Sequence, residues 1–476
     1  VDLLGLGSGY GVRVAFWMLC GAVALGTLPF IIDGTSRLAA SVSEALLLTP
    51  AHRDHQIDAL VGQFPALSMT PPQLFTNYRG GGPSQAALFQ LQFASVIRQA
   101  QSPAQLYERM VEFWSDHFNI DGGGSQTLRL LKIVEDREAI RPNAMGTFAN
   151  ILKASATSPA MLVYLDNVTS SAGAINENYA REFLELHTVG VGGGYTEDDI
   201  VSLARLITGW RINNQTGEFQ VRNSLHDSGD VTVMGWVRPT SGRGPRDGLE
   251  FADWLAVQPQ TAEFVCRKIA VRFAGDNPDP GLVSAMKTAW LDNGSAIVPV
   301  LRTMFTHSEF QATADTKFNR PADQLAATAR RLGGTWTPST NPGDLSDLAQ
   351  LFVGLGQVPF GWPAPNGYPD VEGAWLNTGS LIGRWNLTGE LLDGTADVFG
   401  YDAGPFRAGL NGMTAVDICD ELIQRVLHRP SSGPGRAALL VIAGWNQNDR
   451  PNGVQISLKL NKLVFALLVA PDAQYR

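Results

Sequence analysis

Hydrophobic positions along this chain recur mainly at intervals of three and four residues, the spacing of helices that bury one face. Residues 85–118 give the first clear helical pattern. It breaks at Ser102-Pro103, where serine can cap and proline can occupy a first turn. In the second part Met110, Phe113, Trp114 and His117 fall at i, i+3, i+4 and i+7, which places His117 on the apolar face. Helices are also expected at about 126–140, 143–156, 158–164, 321–332, 414–428, 436–444 and 454–470, and over 249–310 with proline breaks. Period-two alternation is limited to 218–221 and 231–234, with His226-Asp227-Ser228-Gly229-Asp230 between them as a turn signal. The fold class is therefore expected to be mainly α: a single large helical domain over 36–476, one small β-hairpin near 217–236, and long ordered loops.

The stretch from Asn176 to Trp210 carries the densest punctuation. Tyr179, Phe183 and Leu186 mark the apolar face of one helix, which stops at Gly190. Thr196 and Asp199 then form a capping-box pattern, and Ile200, Leu203, Ala204 and Ile207 give a second helix its stripe. On the first helix Asn178, Glu182 and Glu185 share one side, with Arg181 at its edge and His187 in the last turn. Two carboxylates one turn apart beside a Gly-rich loop could bind a divalent metal or do acid–base work. The structural alternative is an i, i+4 ladder of Glu177, Arg181 and Glu185 on a wet face, with His187 favouring the helix C-terminus. His226-Asp227 is a second polar candidate.

The other candidates change the picture less. Residues 4–11 place glycine at every second position, which is not the dinucleotide-loop spacing. Residues 14–32 carry no charge and could be a buried helix, a membrane-inserted segment or a leader; with residues 1–35 they form a Gly-rich, apolar start. The segment 356–370 is too rich in Pro and Gly for regular structure; its Phe360, Trp362 and Tyr368 could stack on sugars, but the more general expectation is that they pin a long loop to a core. A net charge of −9 argues against a nucleic-acid partner. The three cysteines, far apart, offer no disulfide framework and no metal knuckle.

Residues 176–210 resemble the signature of the bacterial family called domain of unknown function 1800. Further matching pieces are F-W-S-D-H-F (113–118), S-P-A-M-L-V-Y-L-D-N (158–167), L-H-D-S-G-D (225–230), K-F-N-R-P (317–321) and L-G-Q-V-P-F (355–360). They cover nearly the whole chain from about residue 50. The chain departs from the family's pattern at Gly7, where arginine is usual, and at Val231, where lysine is usual. The resemblance implies an exported protein with no assigned reaction and a partner protein; a homo-oligomer stays open, and membrane contact would run through 14–32.

Two functions stay open. One is a non-catalytic component of an exported or envelope-associated assembly. The other is a metal-assisted or acid–base hydrolase using Glu182, Glu185, His117, His226 and Asp227, with Asn178, Arg181 and His187 as a polar cluster. The signature polar groups are expected to be buried together with His117.

Overall fold

The computed structural model describes residues 55–239, 244, 246–394, 396 and 398–476. The uncharged run 14–32 and Gly7 lie outside the described residues. The fold is mainly α, with three two-stranded antiparallel sheets among the described residues. The helices that position the polar groups are α1 (Gly81–Gln101), α2 (Gln105–His117), α3 (Gln126–Glu135), α4 (Asn178–Glu185), α5 (Glu197–Leu206), α6 (Pro259–Ala274), α7 (Pro321–Arg331), α8 (Ala415–Leu427), α9 (Gly433–Ala443) and α10 (Gly453–Val469). None of the described helices is long and apolar enough to cross a membrane.

Two hydrophobic clusters form the interior. The first gathers helices between residues 66 and 305, including α2 to α6. The second joins α7 to α10 with the first helices of the described chain. Helix α1 serves both. Its Ala87, Leu88 and Leu91 enter the first cluster, and Phe93, Ala94, Val96 and Ile97 enter the second. A helix with apolar residues on all sides suits a position between two cores.

The break after Gln101 is where the sequence puts it, but α2 starts only at Gln105. Ser102 Oγ accepts from Ala104 N at 3.1 Å, so serine holds the turn between the helices. Helix α3 runs into a π-helical turn over Asp136–Ile140. The capping box at Thr196 and Asp199 forms as expected, each residue bonding the other's backbone N–H.

The hairpin expected near 217–236 is corrected. Phe219–Val221 pairs with Trp210–Ile212, and Thr232–Val233 pairs with Trp236–Val237. The residues between, 226–230, do not close a hairpin because stronger partners hold them. Asp227 N donates to Thr208 Oγ1 and Arg238 Nη1 donates to the Asp227 carbonyl. Val231, at the family's usual lysine position, is buried in the first core.

Candidate functional site

Helix α4 buries Tyr179, Ala180, Phe183 and Leu184, while Leu186 is only half-buried. Its polar face meets solvent. Arg181 donates to both carboxylate oxygens of Glu197 on α5, at 3.0 and 2.6 Å, and lies 3.6 Å from Glu185 and 4.0 Å from Glu177. Glu185 also accepts from the Tyr195 hydroxyl at 2.8 Å. The Arg181 side chain is 35 % exposed and that of Glu197 72 %. The expected burial of this group with His117 is therefore corrected: Arg181, Glu177, Glu185 and Glu197 make a surface ion ladder, of modest value in stability. Asn178 is exposed and donates to the Leu165 carbonyl.

Glu182 differs from its neighbours. It is half-buried, and its carboxylate has no hydrogen bond or ion pair within the described structure. Burial, then the nearby Glu185 charge, pushes its pKa up, with Arg181 opposing. Tyr164 stands near enough to feel that charge, and its hydroxyl donates to the Pro363 carbonyl at 2.7 Å.

His117 and His187 lie deep in the first core, not beside the glutamates. Nε2 of His117 is 3.0 Å from the His187 carbonyl, which fixes that nitrogen as the donor. The two rings are 6.2 Å apart among Trp114, Phe118, Phe148 and Tyr179. His187 follows α4 in a turn rather than standing in its last turn. Burial and the Lys268 charge hold it neutral, its pKa lowered to about 3. Burial likewise holds His117 well below the usual histidine range, with Lys268 and His187 adding to the effect.

His226 and Asp227 are also engaged within the fold. Nδ1 of His226 is 2.8 Å from the Thr208 carbonyl, and its Nε2 contacts Arg238. Arg205 grips Asp227 with Nε and Nη2, at 2.8 and 3.3 Å. That hydrogen bond, ahead of the opposing effect of burial, lowers the Asp227 carboxyl pKa.

The expected catalytic set thus divides among three places. Among the described residues, no group of three or more His, Cys, Asp or Glu side chains is placed to hold a metal ion. Glu182 and Glu185 do not make up a donor set either, because Glu185 already serves Tyr195 and Arg181.

The largest concentration of charge lies elsewhere, at the seam between the two cores. Asp323 of α7 is fully buried and takes bonds from Arg109, from Arg272 at 2.7 and 2.8 Å, and from Arg476 at 3.0 Å. Arg320 donates to Glu112 and to Asp116, each at 2.5 Å, and Arg272 reaches Glu112 at 2.9 Å. Lys317 extends the network to Asp276 at 2.8 Å and Asp370 at 3.3 Å. Burial pushes the Asp323 carboxyl up, but Arg272, Arg109 and Arg476 outweigh it and hold it well below the usual range. At Asp116 burial prevails over Arg320, and the pKa is raised.

Residues 356–370 cover this seam. Gly122 N donates to the Phe360 carbonyl at 2.8 Å, and Asn119 donates to those of Trp362 and Ala364. Gly367 has φ +72, and a Cβ there would stand 2.2 Å from the Asp116 carbonyl oxygen. The aromatic loop is therefore pinned, as its composition suggested.

Residues 32–475 match the family model described as a protein of unknown function, DUF1800. The chain belongs to that family. No curated protein and no solved structure matches it. For this DUF1800 protein the signature helix is thus a surface ladder over an apolar core. The buried ion network sits mainly on α2, α6 and α7, where the sequence pattern alone does not reveal it.

Proposed function

We propose that the protein is a non-catalytic component of an exported or envelope-associated bacterial assembly, acting beside a protein partner or a second copy of itself. One observation carries this reading. Helices α9 and α10, packed on each other in the second core, turn large apolar side chains into solvent: Val441 is 80 % exposed, Leu458 77 % and Val454 69 %. Single exposed apolar residues are ordinary, but several on adjacent helices suit an interaction surface. The polar groups fit the same reading. His117, His226 and Asp227 are each engaged in bonds within the fold, and Glu185 belongs to the surface ladder. The extracytoplasmic setting rests on the family resemblance.

The test is the assembly state of the natural protein in its own cells. The parent should run in a complex larger than one chain, in an extracytoplasmic fraction. A Val441→Glu, Leu458→Glu variant should leave the complex while keeping its melting profile. A parent that runs as a single chain would count against the proposal.

A second reading, an acid–base hydrolase, keeps one specific support: the half-buried, unpaired Glu182 carboxylate beside Tyr164. Under that reading Glu182→Gln abolishes a hydrolytic activity found for the parent, with little change in stability. Under the favoured reading the variant assembles as the parent does.

A further inference from the structure

A groove runs between helix Pro342–Leu355 and helix Thr378–Asp393, with a volume of about 320 Å³. Leu348, Leu351, Leu387 and Val398 make an apolar floor. Asp344, Asp347 and Glu390 stand in its walls, and no lysine or arginine lines it among the described residues. The two helices touch at Gly354 and Gly383, where a Cβ on Gly383 would stand 2.3 Å from the Gly354 carbonyl oxygen. One of the three acids is engaged, since Asp344 accepts from the Ser339 hydroxyl at 2.5 Å. Asp347 is exposed and Glu390 half-buried, and neither carboxylate has a hydrogen bond or an ion pair among the described residues. Burial, then the Asp393 charge, pushes the Glu390 carboxyl pKa up. A cation brought beside it would favour its charged form.

An apolar floor between unpaired acids suits an occupant with the reverse pattern: apolar side chains in a helical stripe, with a cation at one end. The chain itself carries that pattern on α10. Val454, Leu458 and Lys462 recur every fourth residue, so they share one side of the helix. All three are exposed, and Lys462 makes no ion pair among the described residues. The lengths agree. From Val454 to Lys462 is about 12 Å of helix, and from Asp344 to Gly354, along the groove wall, is about 15 Å. The stripe cannot enter the groove of its own chain. Helix α10 packs on helix Thr378–Asp393 and turns Ile456, Leu460, Leu463 and Val464 into the second core, so the stripe faces the other way.

We propose that the partner is a second copy of this chain, whose α10 lays Val454 and Leu458 on the groove floor and brings Lys462 to Asp347 and Glu390. This rests on the proposed role in an assembly and names the partner. Stripe and groove are different surfaces, so the contact is head-to-tail.

The test is sedimentation velocity of the purified full chain over a range of concentration. Two variants are compared with the parent, each checked for an unchanged melting profile. The stripe variant is Leu458→Gln, Lys462→Gln, and the groove variant is Asp347→Lys, Glu390→Lys. The parent should self-associate, and less so in high salt. Each variant alone should run as a single chain where the parent associates. Mixed, they should form a one-to-one pair, because the groove variant keeps its stripe and the stripe variant keeps its groove. A groove variant that associates as the parent does would overturn the proposal, and so would variants that stay separate on mixing. A purified parent that runs as a single chain would also overturn it. If the complex from cells then holds a different protein, the proposed role stands without the second copy. If the protein from cells is single as well, both fall.

Discussion

Replacing Asp323 by asparagine tests whether the buried ion network ties the two cores. The substitution keeps the shape and removes one charge. Asp323 is fully buried, and three guanidiniums, those of Arg109, Arg272 and Arg476, converge on it. Removing one partner of a buried ion pair costs about 3–5 kcal/mol because the remaining charge is stranded. Across residues 55–476, an unfolding entropy of ~2.1 cal/mol/K per residue amounts to roughly 0.9 kcal/mol/K, so a loss of about 4 kcal/mol lowers the melting temperature by about 4–5 °C. The pH dependence follows from the depressed carboxyl pKa of Asp323. A carboxylate with a lowered folded pKa stabilises fully above its unfolded value, ~3.9, and loses that contribution as pH falls through the folded value. The gap between parent and Asp323→Asn should therefore be constant above about pH 4 and shrink below it. Calorimetric melts across pH measure both. A variant melting within about 1 °C of the parent at pH 7 would refute the network as a tie between the cores.

Arg181→Met on the surface ladder should cost less than about 1 kcal/mol, and less still in high salt, as read by denaturant titration. His187 is held neutral to about pH 3, so it stabilises above the unfolded histidine value and loses that contribution as pH falls. Between about pH 6 and 4, His187→Leu should flatten the loss of stability by ~1.4 kcal/mol per pH unit. Gly192→Ala, at φ +74 in open space, should cost about 1–2 kcal/mol. Gly367→Ala should cost on the order of 3 kcal/mol or more, because its Cβ would meet fixed backbone at Asp116. Equal melts for the two glycine variants would contradict the close packing of the covering loop.

Helix positions and the capping box were legible because they depend on local periodicity and short-range bonds. Thr196 and Asp199 need only each other. Spacing alone puts His117 on the apolar face, and it is buried there. Strand pairing was not legible, since Phe219–Val221 could alternate against either neighbour and only tertiary bonds to Thr208 and Arg238 decide. The ion network is hidden in the sequence for a related reason. Arg109, Glu112 and Asp116 share the polar side of α2, which in sequence looks like a solvated face. Their partners Arg272, Arg320, Asp323 and Arg476 lie far along the chain. The signal available was that R-M-V-E-F-W-S-D-H has strong apolar residues on one side and fixed charge on the other. A second buried face on such a helix becomes visible only when the second core is in place.

The most direct test of the proposed role is native mass measurement of the protein released gently from its own cells. Parent and Val441→Glu, Leu458→Glu variant would be compared side by side, with melting checked for both. If α9 and α10 form an assembly surface, the parent appears in a complex of more than one chain and the variant appears alone, with both equally folded. A folded parent that appears only as a single chain, indistinguishable from the variant, would contradict that role.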